Sequence, residues 1–153
     1  TRRLPWSLHR RLRAAQRKLD TAQRTALLFS EFDDPVKLRQ RLQALRVDAD
    51  TISLCEVFCR LHSTLASLRE ADDYVAFREA ADVLRRPARF DAFLSAYAAF
   101  EPNANFDVLG QAARAFVETD AGAAARRAQG KNVAQAVRQA RLDAVKSALR
   151  ICL

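Results

Sequence analysis

The sequence predicts an all-α protein, and three observations lead to this prediction. The chain of 153 residues contains only 3 Gly and 4 Pro, and a composition rich in Ala, Leu, Arg and Gln favours helices. Apolar residues recur at helical spacing along most of the chain, whereas no stretch alternates apolar and polar residues over the length of a strand. We expect about six to seven helices packed as helical hairpins, in an α-solenoid-like or irregular bundle. The length suits a single all-α domain over residues 1–153.

The first helix is predicted to begin near Ser7 and to run to about Phe29. Its apolar positions alternate in steps of four and three residues, which is the pattern of a seam that faces another helix. These positions are Leu8, Leu12, Ala15, Leu19, Ala22, Ala26 and Phe29. Asp34 is then expected to cap a second helix that has Pro35 at its first position and ends near Arg46.

The remaining boundaries are expected at capping and breaking residues. A third helix is predicted from Asp50-Thr51 to about Arg69, a fourth from Asp72-Asp73 to Arg86-Pro87, and a fifth to Phe100. The sixth is predicted to follow the turn Glu101-Pro102-Asn103 and to be ended by Asp120 and Gly122. A last helical stretch should reach nearly to the C-terminus, with a weak point at Gly130. The fourth helix is expected to bury Tyr74, Phe77, Ala81 and Leu84. The openings at Asp33 and Asp72 resemble each other, 39 residues apart, which fits either a helical repeat or two similar capped helices.

Positive charge is concentrated at the two ends of the chain. Residues 1–19 contain seven Lys or Arg and no acid, and residues 124–153 contain seven Lys or Arg and one acid, Asp143. The body between them is mildly acidic, and the formal net charge is +8. Charge that is concentrated in this way is typical of a surface for a partner. Arg outnumbers Lys by 22 to 4, which fits either phosphate recognition or a GC-rich genome.

We therefore predict that the basic N-terminal arm and helix, residues 1–30, and the basic C-terminal helix, residues 124–153, form the contact surface. The expected contact residues are Arg2, Arg3, Arg10, Arg11, Arg13, Arg17 and Lys18, followed by Arg127, Lys131, Arg138 and Arg141. Their side chains would contact phosphate groups or an acidic protein surface. The arm is also Arg-rich, acid-poor and amphipathic, as transit peptides are. Since the chain begins at Thr1 without a methionine, we expect a processed or truncated N-terminus.

Two stretches of the chain resemble helical repeats of organellar RNA-binding proteins. "VDADTISLCEVFCRL" (Val47 to Leu61) is similar to the start of a repeat in the pentatricopeptide, octotricopeptide and FAST-kinase-like families. "EPNANFDVLGQAARAFV" (Glu101 to Val117) resembles the pentatricopeptide opening, except that Phe106 arrives one residue early. The resemblance covers about a third of the chain. It implies an α-solenoid and work on organellar RNA, and it assigns no base-reading residue.

One cluster of side chains suggests chemistry. Cys55, Cys59 and His62 share a helix face at i, i+4 and i+7 and could hold zinc, with Cys152 as a fourth ligand, or they could supply a nucleophile and a base. The favoured interpretation is that the cysteines are small core residues beside a boundary histidine. The three cysteines are poorly spaced for a disulfide framework, so we expect a reducing intracellular compartment. We predict no cofactor, no metal site and no catalytic residue.

Three classes of function follow. The first is a non-catalytic helical subunit of a larger assembly, in the mitochondrial matrix, whose basic ends dock onto RNA or onto other protein subunits. The second is a free-standing RNA- or DNA-binding protein. The third, an enzyme, is disfavoured, and neither a small-molecule substrate nor a transmembrane segment is predicted. Attachment of the arm to an anionic membrane stays open as a further alternative.

Overall fold

The computed structural model describes residues 19–32, 34–128, 130 and 132–150, and its regular structure there is entirely helical. The all-α prediction is thereby confirmed. The helices are α1 (Thr21–Leu28), α2 (Pro35–Ala44), α3 (Ala49–Ser67), α4 (Ala71–Ala80), α5 (Pro87–Phe100), α6 (Phe106–Glu118), α7 (Ala121–Arg127) and α8 (Val133–Arg150). None of these helices is both long enough and apolar enough to span a membrane.

The chain divides into two compact units that are interleaved in sequence. Unit 1 comprises the described residues up to Ala66 together with Ala81–Ala104, and therefore contains α1, α2, nearly all of α3, and α5. Unit 2 comprises Ser67–Ala80 and the described residues from Asn105 onward, and contains α4, α6, α7 and α8.

An aromatic cluster forms the core of unit 1. Phe58 of α3 is fully buried, and its ring centroid lies 5.3 Å from that of Phe93 and 5.9 Å from that of Phe100, both in α5. His62 stacks on the Phe58 ring at 5.4 Å. Tilted and edge-on aromatic pairs of this kind add to the stability gained by burial. The same helix α5 also packs against α1.

The core of unit 2 is assembled from three helices. Val75 of α4 and Phe116 of α6 pack with Leu142 and Val145 of α8. Arg78 is 4% exposed, and its guanidinium donates a hydrogen bond of 3.1 Å to the carbonyl of Leu109 in α6. The buried arginine therefore links α4 to α6 by a bond that a purely apolar core would lack.

Aspartate carboxylates begin several of the helices. Asp34 accepts hydrogen bonds of 2.9 and 3.2 Å from the backbone amides of Val36 and Lys37, with Pro35 at the first helical position, which confirms the prediction for α2. Asp73 accepts bonds of 3.0 and 2.9 Å from the backbone amides of Arg69 and Glu70 ahead of α4. Bonds of this kind satisfy amides that a helix leaves without a partner.

The prediction that Asp50-Thr51 caps α3 is wrong. The carboxylate of Asp48 accepts the backbone amide of Thr51 at 2.9 Å, and the helix has already begun at Ala49. The spacing explains the correction, because a capping carboxylate bonds an amide two or three residues later.

The prediction of one continuous helix from Ser7 to Phe29 is also wrong. Leu19 and Asp20 are not helical, and Asp20 caps α1. Its carboxylate accepts the amide of Gln23 at 2.8 Å, and the Gln23 side chain accepts the amide of Asp20 at 2.9 Å. The apolar spacing runs through this point without a change, so periodicity alone did not indicate the break.

The fourth predicted helix ends early. Helix α4 stops at Ala80 and a turn follows, in which Asp82 has a φ of 53°. This left-handed residue breaks the helical periodicity, and Leu84, expected in the core, is 48% exposed. Asp120 likewise begins α7, by accepting the amide of Ala123 at 2.8 Å, where we had expected it to end a helix. The weak point predicted at Gly130 is confirmed by its φ of 78° in the turn between α7 and α8.

We expect that Phe58→Ala will destabilise unit 1 by about 3–5 kcal/mol, because the substitution leaves a cavity among rings that stay in place. Urea unfolding followed by far-ultraviolet circular dichroism measures the loss. Leu45→Ala is the matched control, since Leu45 is 67% exposed and its truncation should change stability by no more than about 0.5 kcal/mol. Equal effects of the two substitutions would contradict the described core.

We expect the capping aspartates to make stability depend on pH. Backbone hydrogen bonds lower the pKa values of Asp34, Asp48 and Asp73 below the ordinary 3.8. As the pH falls, these carboxylates therefore bind protons in the unfolded chain before they do so in the folded chain. The stability that the charged caps contribute is fully present above the unfolded pKa and is lost as the pH falls through the native pKa values.

The measurement is the urea midpoint between neutral and strongly acidic pH, for the wild type and for a variant with Asp34→Asn, Asp48→Asn and Asp73→Asn. Asparagine caps a helix without titrating, so the midpoint of the variant should fall less. A parallel fall in both proteins would show that these carboxylates do not act as charged caps.

Candidate anion-binding surfaces

The predicted contact residues of the N-terminal arm lie outside the described residues. They are Arg2, Arg3, Arg10, Arg11, Arg13, Arg17 and Lys18, and the predicted C-terminal contact Lys131 lies outside the described residues as well. The structure therefore bears on three of the predicted contacts: Arg127, Arg138 and Arg141.

Two of these three arginines make contacts within unit 2. Arg138 of α8 donates a hydrogen bond of 3.0 Å to Asp72 and lies 3.5 Å from a carboxylate oxygen of Glu79, so it links α8 to α4. The Asp72 carboxylate raises the pKa of Arg138. The guanidinium carbon of Arg141 lies 4.7 Å from the ring centroid of Phe116, a cation–π contact with α6.

The third arginine belongs to a set of exposed cations, here named the C-terminal cations: Arg126, Arg127, Lys146 and Arg150. No ion pair joins any of them to a carboxylate within the described residues. Arg126 and Arg127 end α7, where the helix dipole favours positive charge. Lys146 and Arg150 lie one turn apart, and Lys146 is about 20 Å along α8 from Val133.

A second concentration of positive charge lies in unit 1, in a groove of about 670 Å³. Arg85, Arg86 and Arg89 line this arginine groove together with Ser53. Arg86 and Arg89 both donate hydrogen bonds to the Ser53 hydroxyl, at 3.2 and 2.9 Å, and Arg89 donates a further bond of 2.8 Å to the carbonyl of Ala81. Two guanidinium groups are thus held against one hydroxyl oxygen.

The arginine groove also contains the N-terminus of α5. Arg86 is the N-cap residue and makes no side-chain capping bond, and Pro87 at the first position has no amide hydrogen. The first intrahelical bond runs from the amide of Phe90 to the carbonyl of Arg86 at 3.2 Å. The amides of Ala88 and Arg89 are therefore left without helical partners, as at any helix start.

Charges of both signs lie around Arg89 in this groove. Burial lowers the pKa of Arg89, and the neighbouring charge of Arg86 lowers it further. The carboxylates of Asp82 and Glu56 act in the opposite direction. No carboxylate of the described residues lies within ion-pair distance of the three arginines. Asp48 and Asp50 also line the groove, but the Asp48 carboxylate is bonded to the Thr51 amide of α3.

Sequence reasoning did not select Arg85, Arg86 or Arg89, although the stretch "RRPAR" carried a signal. Helices usually begin with Asp, Ser, Thr or Asn, because the N-terminus of a helix is the positive end of its dipole. Three arginines around a Pro that marks a helix start oppose this preference, which favours an anion from elsewhere. The convergence on Ser53, 33 and 36 residues away, was not visible in the sequence.

The cysteines and the histidine of α3 differ in burial and in hydrogen-bond partners. Cys55 is buried, and burial raises the pKa of its thiol to about 12, with the charge of Asp48 adding to the shift. The thiol of Cys59 donates to the carbonyl of Phe32, and Nδ1 of His62 lies 2.8 Å from the carbonyl of Phe58. The described residues contain no group of three or more His, Cys, Asp or Glu side chains that could hold a metal ion.

Comparisons with protein-family models, with curated proteins and with solved structures found no match to this chain.

Proposed function

We propose that this chain is a non-catalytic helical subunit of a larger assembly and that it docks through its basic ends. The favoured partner is RNA. The alternative is an acidic protein surface that contacts the same cations. The observation that carries the proposal is the division of the basic residues in unit 2. Arg138 and Arg141 stabilise the packing of α8, whereas the C-terminal cations are exposed and have no carboxylate partner in the described part of the chain.

The arrangement of the C-terminal cations favours an extended polyanion. They form two pairs, one at the end of α7 and one in the last turns of α8, and about 20 Å of helix lies between the start of α8 at Val133 and the second pair. A single small anion cannot contact both pairs, whereas successive phosphates along a nucleic acid strand can. Arginine supplies most of these contacts, and its planar donor group binds phosphate in a bidentate manner.

A binding role also agrees with the positions of the aspartates, which lie at helix starts. Asp20, Asp34, Asp48, Asp73 and Asp120 accept backbone amides at or near helix starts. Carboxylates that cap helices stabilise the fold rather than act on a substrate. The Arg-rich, acid-poor arm is the reason to include the mitochondrial matrix in the proposal.

We expect that Lys146→Glu combined with Arg150→Glu will weaken RNA binding and make it less sensitive to salt. Each phosphate contact of a single strand contributes about 0.7 to the slope of log K against log salt, so losing two contacts should reduce the slope by about 1.4. Fluorescence anisotropy with labelled single-stranded RNA at several salt concentrations measures both quantities.

The matched control reverses two exposed cations of unit 1, Lys37→Glu with Arg46→Glu. The control changes net charge equally, so an equal loss of affinity and slope would show that only net charge matters and would contradict docking through α8. Circular dichroism of both variants verifies that helicity is retained.

A second expectation concerns the native particle. In extract of cells that make the protein, it should elute as a large particle that collapses on nuclease treatment. A large particle that withstands nuclease would indicate an acidic protein partner. A species near the 17.2 kDa of the chain, with and without nuclease, would contradict the subunit proposal and favour the alternative, a free-standing RNA- or DNA-binding protein.

A further inference from the structure

We propose that the arginine groove of unit 1 is a binding site for a phosphate monoester, held by the guanidinium groups of Arg85, Arg86 and Arg89 and by the hydroxyl of Ser53. The groove belongs to unit 1 and the C-terminal cations to unit 2, so this proposal and the docking proposed above are argued from different residues.

The Ser53 hydroxyl points to an acceptor that the protein does not supply. Its oxygen accepts hydrogen bonds from both Arg86 and Arg89. Both lone pairs are thereby used, and the hydroxyl hydrogen remains to be donated. Ser53 is half-buried at the groove, and within the described residues it donates this hydrogen to no acceptor. An oxygen of a bound phosphate would accept it beside the two guanidinium groups.

The guanidinium groups of the three arginines carry N–H donors that the described residues do not use. Arg85 lines the groove and makes no hydrogen bond or ion pair with the described residues. The Nε atom of Arg89 is buried and has no hydrogen-bond partner among the described residues. A guanidinium group carries five N–H donors, and the bonds to Ser53 and Ala81 leave several of those of Arg86 and Arg89 unused.

The helix N-terminus in the groove adds two backbone donors. The amides of Ala88 and Arg89 begin α5, a helix of 14 residues that no carboxylate caps. Helix α3 begins at the same groove, but Asp48 already supplies its anion. The two helix starts therefore differ in that only α5 lacks a negatively charged partner.

A phosphate monoester matches this set of donors in charge and geometry. It carries nearly two negative charges at neutral pH and three terminal oxygens, which can accept from two guanidinium forks and from the Ser53 hydroxyl. A carboxylate has one charge and two oxygens and would leave donors unused. Leu54, Pro87 and Ala92 also line the groove, and they offer an apolar surface for the organic group that bears the phosphate.

Two sources of the phosphate share this chemistry: a free nucleoside monophosphate, and the 5′-phosphate at the end of an RNA strand. Isothermal titration calorimetry of the full chain with AMP, adenosine, and short RNA with or without a 5′-phosphate separates them. Binding of AMP alone identifies the free nucleotide as the ligand, and preference for phosphorylated RNA identifies the strand end.

We expect AMP to bind at least about tenfold more tightly than adenosine, since charge-assisted hydrogen bonds hold the phosphate. Arg85→Gln and Ser53→Ala should each lower the affinity for AMP by about tenfold. Arg85 makes no hydrogen bond or ion pair with the described residues, so its variant should unfold like the wild type. Asp50→Asn should tighten AMP binding, because it removes negative charge from the groove.

Arg114→Gln is the matched control, since Arg114 is an exposed arginine of α6 in unit 2 and its substitution should leave AMP binding unchanged. Equal binding of AMP and adenosine, together with equal binding of RNA with and without a 5′-phosphate, would overturn the proposal. So would affinities that stay unchanged in both Arg85→Gln and Ser53→Ala, or an equal loss in Arg114→Gln.

Discussion

Unit 1 depends on the burial of Phe58. This side chain lies in the middle of the long helix α3 and contacts the aromatic side chains of α5 on one side and His62 along its own helix. Helix α5 in turn packs against α1, so the position of the Phe58 ring determines where α5 and its neighbour lie. The start of α5, where three arginines gather, is positioned by the same contact.

The helices could be predicted from the sequence wherever a cap coincided with a change in the apolar pattern. Asp34 followed by Pro35 gave α2 its correct start, and Pro87 gave that of α5. The break at Asp20 was missed, because the apolar positions continue in register on both sides of it while the decisive bonds join Asp20 and Gln23. The early end of α4 was missed because it depends on the left-handed conformation of Asp82, which a single sequence does not reveal.

The candidate sites were predictable only in part. Composition located positive charge at the C-terminal end, but it could not tell a structural arginine from an available one. Arg138 lies 66 residues from Asp72, and a pair of that separation exists only after α8 has packed on α4. The same limit applies to the groove, where Ser53 and its two arginines come from different helices. A count of charged residues describes only a local stretch of the sequence, whereas the pairing of an arginine with a distant group depends on the folded chain.

The interleaving of the two units constrains the order in which the chain can fold as it leaves the ribosome. Residues 67–80 emerge before Ala81–Ala104 have completed unit 1, yet their own partners come from residue 105 onward. The side chain of Val75 therefore stays exposed until Phe116 and Val145 have been synthesised. Contacts of such long sequence separation close slowly, and a helix whose apolar face stays unpaired during synthesis is prone to aggregate. A chaperone that shields α4 during translation would act at this stage, since its apolar side chains become buried only after the last helix has formed.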